Sequence, residues 1–497
     1  MKKLLFILLN LLFIFECSII RTSFGRIEGN EVGNYRSFKK IPFAKSPLGK
    51  LRFQKPETPD KWDDVLNYGP ACMSNSSSTT SPQKWVDEDC LHVNIFTSQK
   101  CLVSNFSRVS QNKNIFQMSK NCPVVFYIHG GEMYYDSAVM FNDTILFDTF
   151  AKRDIVLVIP AFRLGIFSHF SVYDQSIAPN NLGMFEKKNK KISDILHALE
   201  FTKSEIHNFG GDIKQTTVFG HSYGGHIVSM LQFSTKINMD LSLFQRAVSM
   251  STAFYFNTLE AEIEKTIRFA EHSNCSVPST LAKKLSRNQQ DTYIMECLQK
   301  IDGMELLTIQ RSLEDADVFI RISYPKHATH TDDLSYLMGV HLFEKDENEV
   351  KLAQFYQEIF TNFVKYGEPG EGFERTNAEN SSYFNINWNE TFGERPEMKN
   401  EYESELVNYW LEDMVEFDNN VTALKNLNNS KHKSPRFYAI KTEDDQLPYM
   451  FISLFLIAAI FLSGCIFGKL FCPETRDRHL YIQLDGNDHD WNTVKNF

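Results

Sequence analysis

The chain has 497 residues, 42% of them apolar and 13% aromatic, which supports a sizeable core and excludes an intrinsically disordered chain. Its formal net charge is −10 and no basic stretch is interleaved with aromatics, which argues against nucleic-acid binding. The 42 phenylalanines fit a large buried core and carry no functional information.

In chain order, Met1, Lys2 and Lys3 precede the apolar run Leu4 to Phe15. That pattern predicts a secretory signal peptide over residues 1–17, cut near Cys17 or Ser18. Arg21 to Phe96 reads as short strands and loops. Lys100 to Asn121 is polar and reads as a surface insertion that a disulfide between Cys101 and Cys122 could close. Pro123 to Ile128 and Asp154 to Ile159 are short apolar, β-branched runs of the kind that form buried strands. Lys191 to Asn208 places Ile195, Leu199 and Ile206 at helical spacing. Gln215 to Phe219 predicts a third strand. Buried strands alternating with helices imply an α/β fold with a mostly parallel central sheet.

That third strand runs into Gly220-His221-Ser222-Tyr223-Gly224, a G-x-S-x-G pattern. A nucleophilic serine must stand proud of the sheet on a tight strand-to-helix turn, and glycines two residues either side relieve the crowding there. The alternative is an ordinary glycine-rich turn. Beyond Glu260 the pattern is mainly helical until a strand at Val318 to Ile322, and Lys351 to Lys365 is again helical. Asn377 to Arg436 is largely irregular, and residues 419–448 read as a polar stalk. Residues 449–468 are apolar, enough at ~1.5 Å per residue to cross the hydrocarbon core as a C-terminal transmembrane helix. A buried core helix is the alternative. Glu443, Asp444 and Asp445 precede this run and Lys469, Arg476 and Arg478 follow it, which places residues 469–497 in the cytoplasm as the tail of a type I protein.

Cys72, Cys90, Cys101, Cys122, Cys275 and Cys297 form an even set in the expected lumenal part, as an oxidising compartment favours. Cys465 and Cys472 sit in or beside the expected span. The glycosylation sequons at Asn75, Asn105, Asn142, Asn274, Asn380, Asn389, Asn420 and Asn428 all precede the span. No cysteine spacing is a zinc signature, and no cofactor or metal is expected.

Several ordered segments together resemble the carboxylesterase type B, or cholinesterase-like, family. They are Ile41-Pro-Phe-Ala44, Glu88 to Asn94, Pro123 to Gly131, Phe162 to Phe167, Asn181-Leu-Gly183, Asn208 to Asp212, Val218 to Gly225, Ala328 to Tyr336 and Asn362 to Pro369. The resemblance spans about Arg21 to Met414, within an expected lumenal domain of residues 18–418. It implies an α/β-hydrolase fold. It also implies Ser222 as acyl nucleophile and His330 as general base, with nearby His327 the lesser candidate. The implied oxyanion hole uses backbone N–H groups of Gly130, Gly131 or Glu132, and of Tyr223. Cys72 with Cys90, and Cys275 with Cys297, resemble the family's disulfides.

Four departures stand out. A family glycine is Glu132, the usual acidic residue before the serine is His221, and the small residue after it is Tyr223. More seriously, no segment resembling the family's acid loop lies between Ser222 and His330. The domain reads as internally shortened near 310–317, leaving Glu314, Asp315 and Asp317 as weak candidates for the triad acid.

The leading expectation is a serine ester hydrolase or acyl transferase acting on a small ester or acyl substrate, weakened by the missing acid. The alternatives are a catalytically dead adhesion or receptor protein, neuroligin- or gliotactin-like, with a protein partner on its ectodomain, and a truncated or misassembled product. The expected location is the secretory pathway, at the cell surface or in a lumenal organelle.

Overall fold

The computed structural model describes residues 19–63, 69–74, 86–106, 121–179, 193–252, 258–315, 330, 332–340, 344–376, 381–402, 408–417 and 419, apart from the side chains of 103–106, 314, 315, 410 and 411. The expected signal peptide, most of the stalk, the span, the tail, the Val318–Ile322 strand, His327 and Asp317 lie outside these residues, as do the side chains of Glu314 and Asp315. The chain divides at Tyr402 into two compact units. The second is described only around the π-helical turn Tyr409–Asp413.

The first unit is built on a seven-stranded sheet. Its strands are β1 (Asn30–Val32), β2 (Tyr35–Pro42), β3 (His92–Ser98), β4 (Cys122–Ile128), β5 (Val156–Pro160), β6 (Gly211–His221) and β7 (Arg246–Met250). Their spatial order is β7-β6-β4-β5-β3-β2-β1. The helices named below are α1 (Gln99–Phe106), α2 (Asp143–Thr149), α3 (Asp194–Glu205), α4 (Tyr223–Phe233), α5 (Leu259–His272), α6 (Arg287–Leu298), α7 (Gly303–Asp315), α8 (Asp332–Met338) and α9 (Glu347–Tyr366).

The expectation of a mostly parallel sheet needs correction: among the described strands the sheet is mixed. β4–β5, β4–β6 and β6–β7 pair in parallel, whereas β1–β2, β2–β3 and β3–β5 are antiparallel. The reason lies in the connections. The parallel half is joined by helical crossovers, α2 between β4 and β5, α3 between β5 and β6, and α4 between β6 and β7. β1 and β2 are joined by a two-residue turn at Gly33 and Asn34, with Gly33 at φ 57°, which makes a hairpin.

β5 is buried at every position and β4 at all but one, as strands covered on both faces must be. α3 starts at Ser193, whose side chain accepts from Leu196 N, and it buries Ile195 and Leu199. The stretch expected to be a surface insertion begins as α1, and its Cys101 is buried in a disulfide to Cys122 at the start of β4. Disulfides also join Cys72 to Cys90 and Cys275 to Cys297. The second of these ties the turn after α5 to α6, and its Cys275 is part of a smaller core that includes Phe167, Phe269, Leu298 and Leu307.

One core residue makes stability pH-dependent. His92, at the start of β3, is fully buried, and among the described residues neither ring nitrogen has a hydrogen bond. Burial, with help from the Lys40 charge, lowers its pKa to about 3. An unfolded histidine titrates near 6.5, so between these values the unfolded chain binds the extra proton. The contribution of neutral His92 is therefore complete above pH ~6.5 and is lost as the pH falls toward 3, at up to about 1.4 kcal/mol per unit. Denaturant midpoints from pH 7 to 4 should fall less steeply in His92→Gln than in the parent chain. Parallel curves would contradict the assignment.

Candidate active site

β6 ends at His221, and Ser222 follows at φ 56°, ψ −124°, a left-handed backbone that stores strain in any non-glycine residue. The strain is held from three directions. Ser222 N donates to Met250 O at the end of β7 (2.9 Å), His226 N in α4 donates to Ser222 O (3.0 Å), and the turn's glycines sit where no side chain fits. A Cβ on Gly220 would lie 2.2 Å from Gly224 O, and one on Gly224 would lie 2.1 Å from Ile128 O. Spacing therefore follows from packing: α4 crosses so close to β4 that only glycine passes. The geometry is that of a nucleophile elbow.

His330 comes from a separate segment, just before α8, and its Nε2 stands 2.8 Å from Ser222 Oγ. In the tautomer protonated on Nδ1, the serine hydroxyl donates to this nitrogen. Ser222 is half-buried and His330 is exposed, so the pair is reachable from solvent.

The loop after β4 runs against the nucleophile: a Cβ on Gly130 would be 3.0 Å from Ser222 Cβ. Gly131 takes φ 88° and its carbonyl accepts from Tyr134 N (2.8 Å) and Tyr135 N (3.0 Å). Glu132 and Met133 also occupy the left-handed region, at φ 51° and 64°. Among the described residues the N–H groups of Gly130, Gly131 and Glu132 make no backbone–backbone hydrogen bond. Glu132 is exposed, whereas Met133 is buried and its carbonyl accepts from Gly165 N (2.6 Å). Tyr223 opens α4 beside the serine, half-buried. The imidazole of His129 stacks on Phe162 at 4.3 Å. Burial lowers its pKa, a shift only partly offset by the Asp136 charge and the Gly130 carbonyl.

Sequence reasoning gave no role to two groups that the structure brings here. Asp333, in the first turn of α8, lies 3.4 Å from His221 Nε2 and accepts a hydrogen bond from Ser251. Burial alone would raise its pKa, but bonds from His221 and Ser251 and the His221 charge together hold it below the ordinary aspartate value. The available signal was position: Asp333 follows His330 by three residues, and Ser251 directly follows the last residue of β7.

A sheet whose parallel half carries a strained serine turn, with a histidine delivered to it from beyond the strands, defines an α/β-hydrolase. Consistent with that, the structure resembles a thermophilic PNB esterase with a TM-score of 0.60 at 19% identity, over 78% of this chain and 98% of that one. The profile of the carboxylesterase family matches residues 16–325 and 320–410, and the chain belongs to that family. Among curated relatives it is 31% identical over 265 residues to para-nitrobenzyl esterase of Bacillus subtilis (strain 168), an overlap of 51% of this chain and 47% of that protein. It is 30% identical over 286 residues to gut esterase 1 of Caenorhabditis elegans, 56% of this chain and 45% of that protein. It is 28% identical over 326 residues to carboxylesterase 1F of Mus musculus, 61% and 52% respectively. The chain thus spans about half the length of the curated relatives it matches.

Proposed function

We propose that this protein is a carboxylic ester hydrolase that works through an acyl-enzyme on Ser222. The observation that carries the reading is the 2.8 Å contact between Ser222 Oγ and His330 Nε2 at a strained turn. His330 takes the serine proton as the hydroxyl attacks the ester carbonyl, then returns it to the leaving alkoxide. Backbone N–H groups of the Gly130–Glu132 loop and of Tyr223 receive the developing oxyanion. The exposure of Glu132 is compatible with such a hole, since an outward carboxylate does not oppose negative charge within it. Water then releases the acid, and a second hydroxyl in its place would make the same site an acyl transferase.

The sequence between Ser222 and His330 lacks a segment like the family's acid loop, and weakened turnover is part of this proposal. So is the topology: a cleaved signal, a glycosylated lumenal hydrolase domain, and a single C-terminal span over residues 449–468 in a secretory-pathway membrane. No helix among the described residues is long and apolar enough to cross a membrane. The proposed span lies outside those residues.

The test is hydrolysis of short-chain p-nitrophenyl esters by the full-length chain. Turnover should fall to the uncatalysed background in Ser222→Ala with substrate otherwise unchanged. Equal rates in the two proteins would remove the reading.

A further inference from the structure

The Ser222–His330 contact leaves unexplained a second polar cluster directly behind it. His221 is 2% exposed, and its ring centroid lies 4.9 Å from that of His330 with the planes tilted by 34°. Its Nε2 faces Asp333 Oδ1 at 3.4 Å, a long and weak polar contact. The other Asp333 oxygen accepts from Ser251, whose neighbour Met250 holds the Ser222 backbone through its carbonyl. A carboxylate, an imidazole and the general base are thus stacked in sequence beside the nucleophile, held by the ends of two adjacent strands and by α8.

We propose that His221 and Asp333 are positioning residues that support His330 electrostatically. With His221 neutral, the Asp333 carboxylate stabilises the His330 imidazolium formed when Ser222 gives up its proton. With His221 protonated, that negative charge is cancelled and a cation lies against the base. The inference rests on the hydrolase reading above and adds a second proton that governs the same site.

The surrounding groups leave this pair in control. The buried His129, at the end of β4, is pushed toward the neutral form. Tyr127, Tyr336 and Tyr356 feel the Asp333 charge, but burial first, with Asp136 next for Tyr127, Glu349 next for Tyr336 and Asp333 next for Tyr356, holds all three phenols protonated near neutral pH. Among the described residues, Glu132 and Asp136 in the loop after β4, Asp332 beside Asp333 on α8, and Asp346 and Glu349 at the start of α9 are further acidic groups on the elements packed there. No bond to the substrate is made or broken by His221 or Asp333. Their effect passes through the charge on His330.

The signature is a pair of opposite shifts. In the full-length chain, labelled at histidine Cε1 and titrated by NMR, the His330 midpoint should rise by about one pH unit in His221→Gln, where a competing cation is removed. It should fall by about one unit in Asp333→Asn, where a stabilising anion is removed. Ser251→Ala should move it in the same direction as Asp333→Asn by a smaller amount, which keeps the test open if Asp333→Asn does not fold. A merely structural role predicts shifts of one sign or none, and either result in folded variants would overturn the proposal. The titration needs no turnover. If p-nitrophenyl esters were not hydrolysed, the hydrolase reading would fall, while the midpoints would still decide whether the pair acts on His330.

Discussion

Replacing His330 with alanine is expected to lower kcat for ester hydrolysis by on the order of 10²-fold, the part of the triad's contribution that remains without its acid, with KM within a few-fold of the parent value. A serine hydroxyl is a poor nucleophile until a base takes its proton, and His330 Nε2 stands at proton-transfer distance from Ser222 Oγ. The elbow itself should survive. Its strain is held by Met250, α4 and the glycines at 220 and 224, none of which depends on the histidine segment. The variant therefore separates loss of the base from loss of the fold, and an unchanged melting curve should accompany the collapse in rate. Turnover within tenfold of the parent would mean that the contact is not catalytic.

The second large effect is on stability. Arg163 and Asp194 are 3% and 0% exposed, and the Asp194 carboxylate accepts from Arg163 Nε (2.8 Å), Nη2 (2.6 Å) and the backbone N–H (3.1 Å). Arg163 Nη1 also donates to Gln54 O (2.7 Å). Asp194→Ala would leave a buried guanidinium without its counter-charge, at a cost of ~3–5 kcal/mol. Arg163→Met in the same background should recover part of that loss, because no desolvated charge then remains, while the smaller side chains leave a cavity that keeps the recovery incomplete. The consequence reaches the site. Phe162, on one side of Arg163, stacks on His129, and Gly165, just beyond it, donates to Met133 O in the loop beside the serine. Asp194→Ala should therefore lose turnover at temperatures where it is still folded. A denaturant midpoint within ~1 kcal/mol of the parent would show that the pair is not the strut described here.

Much of this architecture could be read from the sequence wherever a local pattern and its packing agree. The runs ending at Ile128 and before Pro160 are buried strands because β-branched residues on both faces meet helices on both sides. The G-x-S-x-G turn was legible because its glycines answer a steric demand that any such crossing makes. Boundaries were less legible. The last long helix begins at Glu347 rather than at Lys351, since the capping box of Asp346 and Glu349 starts it earlier than its apolar pattern does. The antiparallel half of the sheet was hidden, because pairing direction depends on connections that strand composition does not record. Asp333 and Ser251 were missed for a related reason: they lie 82 residues apart in sequence, and only the packing of α8 against the end of β7 brings them together.

The central claim is that the fold presents the Ser222 hydroxyl, activated by His330, to an acyl carbonyl. A fluorophosphonate forms a stable adduct only with such a serine, so incubating the full-length chain with one and mapping the modified peptide tests the claim most directly. The account predicts a single adduct, on Ser222, absent from Ser222→Ala and slow to form in His330→Ala. A folded chain that remains unmodified, or that carries its adduct on another serine, would contradict it.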